Sequence, residues 1–330
     1  MSDQTAAPNH TADPYEYLHI IPNPDGTIGR PEEFYTITKA SCDPTQEVIS
    51  RDLVFNQSNN TWVRLYLPTK ALDSTSNPSK LPLIIYIRGG GFIIGSAGTT
   101  IIHDFCNTMA ADLFAVVLSV EYRSAPEHRL PAAYDDCMEA LHCIKTIPDE
   151  WLRDYADYSN CFVMGTSAGG NIAYHAGLRV AADIDHFRPL QIKGLILHQP
   201  FFGGSKRSGS ELRSKDPVLP LFVTDLMWGL SLPIGSTRDH DYCNPTVGDD
   251  SKKYDPIKAL GWRVMVTGYS GDTLFDRQIQ IAQILEDAGL EVVTKFEEGG
   301  FHGADVLEPS KALELFVAVK NFISLPSKTT

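Results

Sequence analysis

Apolar residues along the chain fall into short runs and helical repeats, and their spacing predicts most of its secondary structure. Residues 47–55, 62–67, 81–87 and 115–121 have the length and composition of strands, with side chains that alternate in 62–67. Residues 161–164, 192–198, 264–269 and 292–296 are apolar runs of the same kind. Helical character marks 104–111, 133–147, 172–180, 277–288 and 311–323. The stretch 69–80, rich in Ser, Pro and Asn, reads as a surface loop. In the later part of the chain strands and helices alternate, which predicts an α/β fold with a mostly parallel sheet and helices on both faces.

Two regions break this rhythm. Residues 1–45 are polar and punctuated by Pro8, Pro14, Pro22, Pro24 and Pro31, with one helix start at Asp13-Pro14-Tyr15. They are expected to form an arm whose apolar residues dock on the body, over a site. Residues 203–255 interrupt the strand–helix alternation and include an apolar helical stretch, 218–232, so they are expected to form a cap inserted between core strands. No repeat and no second domain is visible, and residues 1–330 read as one α/β domain with decorations.

Composition narrows the function. With 330 residues, 43% hydrophobic and 21% charged, the chain can bury a large core. A formal charge of −13 and the lack of a Lys/Arg cluster argue against nucleic acid or an anionic membrane as partner. Met1 to Asp13 holds no apolar core segment, and no apolar run reaches the roughly 18 residues of a spanning helix, so a cytoplasmic location is expected. The six cysteines show no CxxC spacing, which predicts reduced thiols rather than disulfides.

The chemistry centres on Gly165-Thr166-Ser167-Ala168-Gly169, placed between a predicted strand and a predicted helix. In a nucleophile elbow the serine sits on a turn so tight that only residues without a Cβ let strand and helix approach on either side of it. Gly89-Gly90-Gly91 directly follow a buried strand, and such glycines can aim N–H groups into one concavity. With the N–H of Ala168, those of Gly90 and Gly91 would hold the oxyanion formed when Ser167 attacks a carbonyl; a merely flexible loop is the plain alternative.

A serine needs a base, and the base needs a carboxylate. Of ten histidines, His302 lies late in a glycine-rich loop after a strand, where a Ser–Asp–His chain order requires it. His198 reads as a hydrogen-bonded core residue, and His103, His142 and His175 fall in helix-like stretches. Asp272 is the first carboxylate after strand 264–269; Asp276 reads as a cap or ion-pair residue of the next helix. Acyl transfer of this kind needs no metal and no organic cofactor. The expected partner is a small apolar ester; the oligomeric state is left open. Phe201, Phe202, Phe222, Met227, Trp228 and Leu232 either line its cavity or belong to ordinary core.

These residues resemble plant carboxylesterases of the hormone-sensitive-lipase-like branch of the α/β-hydrolases. The resemblance runs from Asp13-Pro14-Tyr15 to the final helix and rests on Gly89-Gly90-Gly91-Phe92, on the run from Glu121 to Asp136, on Gly165–Asn171 and on Asp272-Thr273-Leu274. It implies a Ser167–His302–Asp272 triad, an oxyanion hole from Gly90, Gly91 and Ala168, and a cap. It also implies acyl esters of plant specialised metabolites as substrates, O-acetyl esters of alkaloid metabolism among them. Relatives with the same fold act as dehydratases or cyclases or serve as a hormone receptor. Ser167 favours ester chemistry, and His302 speaks against a pure receptor.

The chain departs from the family pattern at four positions: Arg88 stands where His is usual, Ser124 where Leu is usual, Thr166 where an acid is usual and Thr273 where Pro is usual. Arg88 either pairs with a nearby acidic group and holds the glycine loop, or brings its charge to the substrate. Thr273 is expected to loosen the turn that carries Asp272.

Overall fold

The computed structural model describes residues 13–72, 80–248 and 251–325. Its centre is an eight-stranded sheet made of β1 (Val48–Asn56), β2 (Thr61–Pro68), β3 (Leu81–Ile87), β4 (Val116–Val120), β5 (Ala156–Thr166), β6 (Ile192–His198), β7 (Arg263–Tyr269) and β8 (Glu291–Glu297). Their spatial order is β8-β7-β6-β5-β3-β4-β2-β1. Pairing is parallel from β4 through β8, and only the β1–β2 and β2–β4 ladders are antiparallel.

The sheet separates two cores because strand side chains alternate between its faces. On β3, Leu83, Ile85 and Ile87 join the larger core, whereas Ile84 and Tyr86 join the smaller one. The larger core is covered by α2 (Ala132–Ile144), α3 (Ala168–Ala182) and α5 (Phe275–Asp287), and the smaller by α1 (Thr100–Leu113) and α6 (Pro309–Ser324). Strands this thoroughly buried lose the apolar–polar alternation of a half-exposed sheet, which is why they appear in the sequence as continuous apolar runs. Among the described residues, no helix is long and apolar enough to cross a membrane, and all six cysteines are free.

Two expected loops and caps differ in detail. The start of the predicted 69–80 loop is a 3-10 turn, Thr69–Ala71, with Ala71 buried; residues 73–79 lie outside the described residues. Between β6 and β7 the chain leaves the sheet, forms the short helix Gly209–Arg213, passes through α4 (Leu221–Ser231) and returns. Tyr17, in the short helix Pro14–Tyr17, packs edge-on against Phe222 of α4 at 5.4 Å, and its hydroxyl donates to the Pro217 carbonyl.

Candidate active site

The turn from β5 into α3 is forced by close packing. A Cβ on Gly165 would fall 1.9 Å from the Gly169 carbonyl oxygen, and one on Gly169 would fall 1.9 Å from the Ile87 carbonyl oxygen. Between them Ser167 takes φ 56° and ψ −119°, a strained conformation for a residue with a side chain. The strain is held by neighbours on both sides. The Ser167 N–H donates to the His198 carbonyl at 2.9 Å, and its carbonyl accepts from Asn171 and Phe201 at 3.1 and 2.9 Å.

Ser167, His302 and Asp272 meet in one line of hydrogen bonds. His302 Nε2 lies 2.7 Å from Ser167 Oγ, and Nδ1 lies 2.9 Å from Asp272 Oδ2. A neutral imidazole with these partners donates from Nδ1 to the carboxylate and accepts the serine proton at Nε2. Burial pushes the His302 pKa down, but the charge and hydrogen bond of Asp272, with a further contribution from Asp216, outweigh it and leave the group above its ordinary value.

Asp272 is itself fixed by four donors. Oδ2 accepts from His302, from Gln278 Nε2 at 2.6 Å and from Gln199 Nε2 at 3.0 Å, while Oδ1 accepts the Leu274 N–H at 2.8 Å. Gln199 also donates to the Phe301 carbonyl at 3.1 Å and accepts the Gly303 N–H at 2.8 Å, so one amide brackets the whole His302 loop. Gln199, Gln278 and Asp216 escaped the sequence reading. Only the place of Gln199, one residue past a strand's C-terminal end, offered a signal.

The glycine loop forms the opposite wall. The N–H groups of Gly90, Gly91 and Ala168 have no acceptor within the protein among the described residues. Gly89, Gly90 and Gly91 line the same cavity as Ser167 and His302. Gly91 is pinned by α4: a Cβ there would fall 2.2 Å from Met227 Sδ, and Ser231 Oγ donates to the Gly91 carbonyl at 3.2 Å.

Arg88 is fully buried and is also among the residues that border the cavity. Its Nη1 donates to the carbonyls of Ile94 at 2.8 Å and Gly89 at 3.2 Å, its Nε lies 3.5 Å from Glu121 Oε2, and its guanidinium sits 4.0 Å over the Tyr122 ring. Nη2 lies 3.4 Å from Ser124 Oγ. Arg88 and Ser124, both departures from the family pattern, therefore touch, and the small serine leaves room for the guanidinium. Thr166 accepts from the Tyr86 hydroxyl at 3.1 Å. Thr273 runs against expectation: its hydroxyl donates to the Leu219 carbonyl at 2.7 Å, which fastens the turn instead of loosening it.

The remaining candidates fall outside this centre. Asp276 accepts the Ser210 N–H at 2.8 Å, in the first turn of the Gly209–Arg213 helix, and forms no ion pair with its own helix. His198 is buried 2.6 Å from Thr267 Oγ1 and 3.2 Å from Asp305 Oδ2. Phe201, Phe202, Trp228 and Leu232 are buried core, and Phe222 packs on Tyr17; of the six cap residues, Met227 lines the cavity.

That cavity has a volume of about 750 Å³. Tyr17, Leu18, Phe34 and Tyr35 line it from the arm side, and Pro217, Val218, Leu219 and Met227 from the insertion. At its mouth His19 stacks on Phe34 with ring centres 3.9 Å apart.

Comparison with known proteins agrees with this architecture. Residues 84–305 match a family described by the α/β hydrolase fold. Carboxylesterase 20 of Arabidopsis thaliana is 51% identical over 320 residues, covering 96% of this chain and 98% of its own. A 3-O-acetylpapaveroxine carboxylesterase of Papaver somniferum is 43% identical over 321 residues, covering 94% and 100%. Among solved structures, the metagenomic carboxylesterase EstE1 superposes with a TM-score of 0.68 at 23% identity, covering 88% of this chain and 92% of its own, a likeness of fold. With such identity over nearly the full length of its relatives, the chain belongs to the plant carboxylesterases, carboxylic ester hydrolases of the α/β-hydrolase fold.

Proposed function

We propose that the chain hydrolyses acyl esters through a covalent acyl-enzyme. Ser167 Oγ attacks the ester carbonyl while His302 Nε2 takes its proton, and the negative oxygen is held by the N–H groups of Gly90, Gly91 and Ala168. As the C–O bond breaks, His302 returns the proton to the departing alcohol. Water, deprotonated by His302, then attacks the acyl carbon and releases the acid and free Ser167. Asp272 keeps the imidazole in one tautomer and stabilises its charged form. The observation that carries this reading is the unbroken Ser167–His302–Asp272 line of hydrogen bonds at the cavity wall.

The arm and the insertion act together as the cap, since both line the cavity. Aromatic and aliphatic walls with few polar groups suit a bulky apolar alcohol portion, and about 750 Å³ is the size of a drug-like ligand's site. The O-acetyl ester named for the poppy relative makes a short acyl group on a plant specialised metabolite the leading substrate class. Arg88 braces the glycine loop from below. The test is release of acetate from a panel of acetylated aromatic metabolites. Hydrolysis of at least one, lost in Ser167→Ala, is the expected result. Acetate released without the matching free alcohol, or turnover without acetate, would move the assignment to elimination or cyclisation.

A further inference from the structure

One carboxylate of the insertion reaches the backbone of the candidate base. Asp216 is 4% exposed, and its Oδ2 accepts the His302 backbone N–H at 2.7 Å. Its Oδ1 accepts from the N–H groups of Val218 and Leu219 at 2.8 and 2.9 Å. Three N–H donors are the partners a carboxylate takes and an amide cannot match, because the NH₂ of an asparagine would face another donor.

The same stretch is fastened to the turn that carries Asp272. Thr273 donates to the Leu219 carbonyl, its Oγ1 lies 2.8 Å from Ser214 Oγ, and Ser210 Oγ donates to the Thr273 carbonyl at 2.9 Å. Pro217, Val218 and Leu219 meanwhile face the cavity. A single loop thus meets the cavity's contents on one side and both triad-bearing turns on the other.

We propose that Asp216 is a positioning residue for His302, holding its backbone in register with Ser167 and placing a negative charge behind the imidazole. The proposal rests on the reading of Ser167, His302 and Asp272 as the triad. Geometry carries it: Gln199 holds the flanks of the loop at Phe301 and Gly303, and Asp216 holds its centre. Charge agrees in direction, since Asp216 adds to Asp272 in raising the basicity of His302 against burial. Of the charged and titratable groups that line the same cavity as His302, Arg88 lies beside Glu121, Tyr17 donates to the Pro217 carbonyl, Tyr35 donates to the Leu18 carbonyl and His19 stacks on Phe34. Ser167 and Asp272 are the side-chain partners of His302, Asp305 in the following helix is engaged by His198 and Tyr269, and Arg213 and Lys215 are exposed on the cleft that Asp216 and Asp272 also border.

The test is the pH dependence of kcat and kcat/KM for Asp216→Asn and Asp216→Glu on p-nitrophenyl acetate, with active sites counted by organophosphate titration. For Asp216→Asn the acid limb should move to lower pH. Its kcat per active site should fall on the order of tenfold, with KM changing far less. Asp216→Glu keeps the charge and should restore the wild-type limb. If Asp216→Asn yields too little active protein, Asp216→Ser carries the same expectation of a lowered limb. A reduced count of active sites that titrate on the wild-type limb would make Asp216 purely structural and overturn the proposal. Ser167→Ala, measured in parallel, separates the two levels: retained activity there defeats the triad reading itself, whereas an inactive Ser167→Ala beside an unmoved limb defeats only the role of Asp216.

Discussion

Ser167 stands between two walls built on different principles. The glycine wall is backbone: the groups it offers are N–H donors, and their places are set by what lies beneath and beside them, Arg88, Tyr122, Met227 and Ser231. The histidine wall is side chain: around Asp272 and His302, the residues Gln199, Gln278 and Asp216 each hold a hydrogen bond that another residue type can partly replace. The first has little slack at Gly90, where an added Cβ would meet the Ile94 carbonyl oxygen. The second is redundant, so its members should fail by degrees.

Outside Ser167, His302 and Asp272, the largest effect should come from the glycine wall. In Gly90→Ala the new Cβ would fall 2.1 Å from the Ile94 carbonyl oxygen at φ 105°, so the loop must move. Loss of an aligned oxyanion donor is expected to lower kcat about 10²- to 10³-fold, read by steady-state kinetics. A near-normal kcat would remove the N–H wall from the chemistry. Next is Arg88→Met, which leaves Glu121 without its ionic partner beside the buried Tyr122 ring. Removing one partner of a buried pair costs about 3 kcal/mol, to be measured by urea unfolding, and kcat should fall with it. Unchanged stability and rate would show that Arg88 braces nothing.

Smaller effects belong to the graded wall. Thr273→Val deletes the hydroxyl that reaches the Leu219 carbonyl, and about 1 kcal/mol of stability should go with it. Its kcat should stay within a few-fold of wild type; a total loss would mean that the histidine wall is as brittle as the glycine one. The wild-type pH profile is the gentlest probe. In the proposed mechanism hydrolysis needs neutral His302, whose pKa is raised, so kcat/KM should rise with pH along a limb centred above 6.5. A limb below that value would contradict the carboxylate support described for His302.

The two walls also differ in how far the sequence discloses them. Glycine runs, the elbow and the strand ends are local patterns, so Ser167, the Gly89–Gly91 loop and 192–198 (β6) could be placed from spacing alone; β6 falls on its expected residues. Boundaries moved where burial overrides periodicity: the strand expected at 161–164 extends over Ala156–Thr166, and the helix expected at 104–111 over Thr100–Leu113. The short helix Glu150–Tyr155 had no visible signal, being too brief for a period to show. Asp216 and Thr273 were opaque for another reason. Their partners lie 86 and 54 residues away, across an insertion whose path no repeat or period fixes. The arginine was the reverse case, conspicuous as a departure but readable only once Ser124 and Glu121 were seen beside it.

In the proposed mechanism Ser167 is a nucleophile activated by His302. Intact-protein mass after exposure to a small organophosphate tests it most directly, on wild type, Ser167→Ala and His302→Ala. One covalent adduct per wild-type chain is expected, with none on Ser167→Ala and a greatly slowed reaction on His302→Ala. An adduct that forms equally well on Ser167→Ala, or none on the wild type, would contradict it.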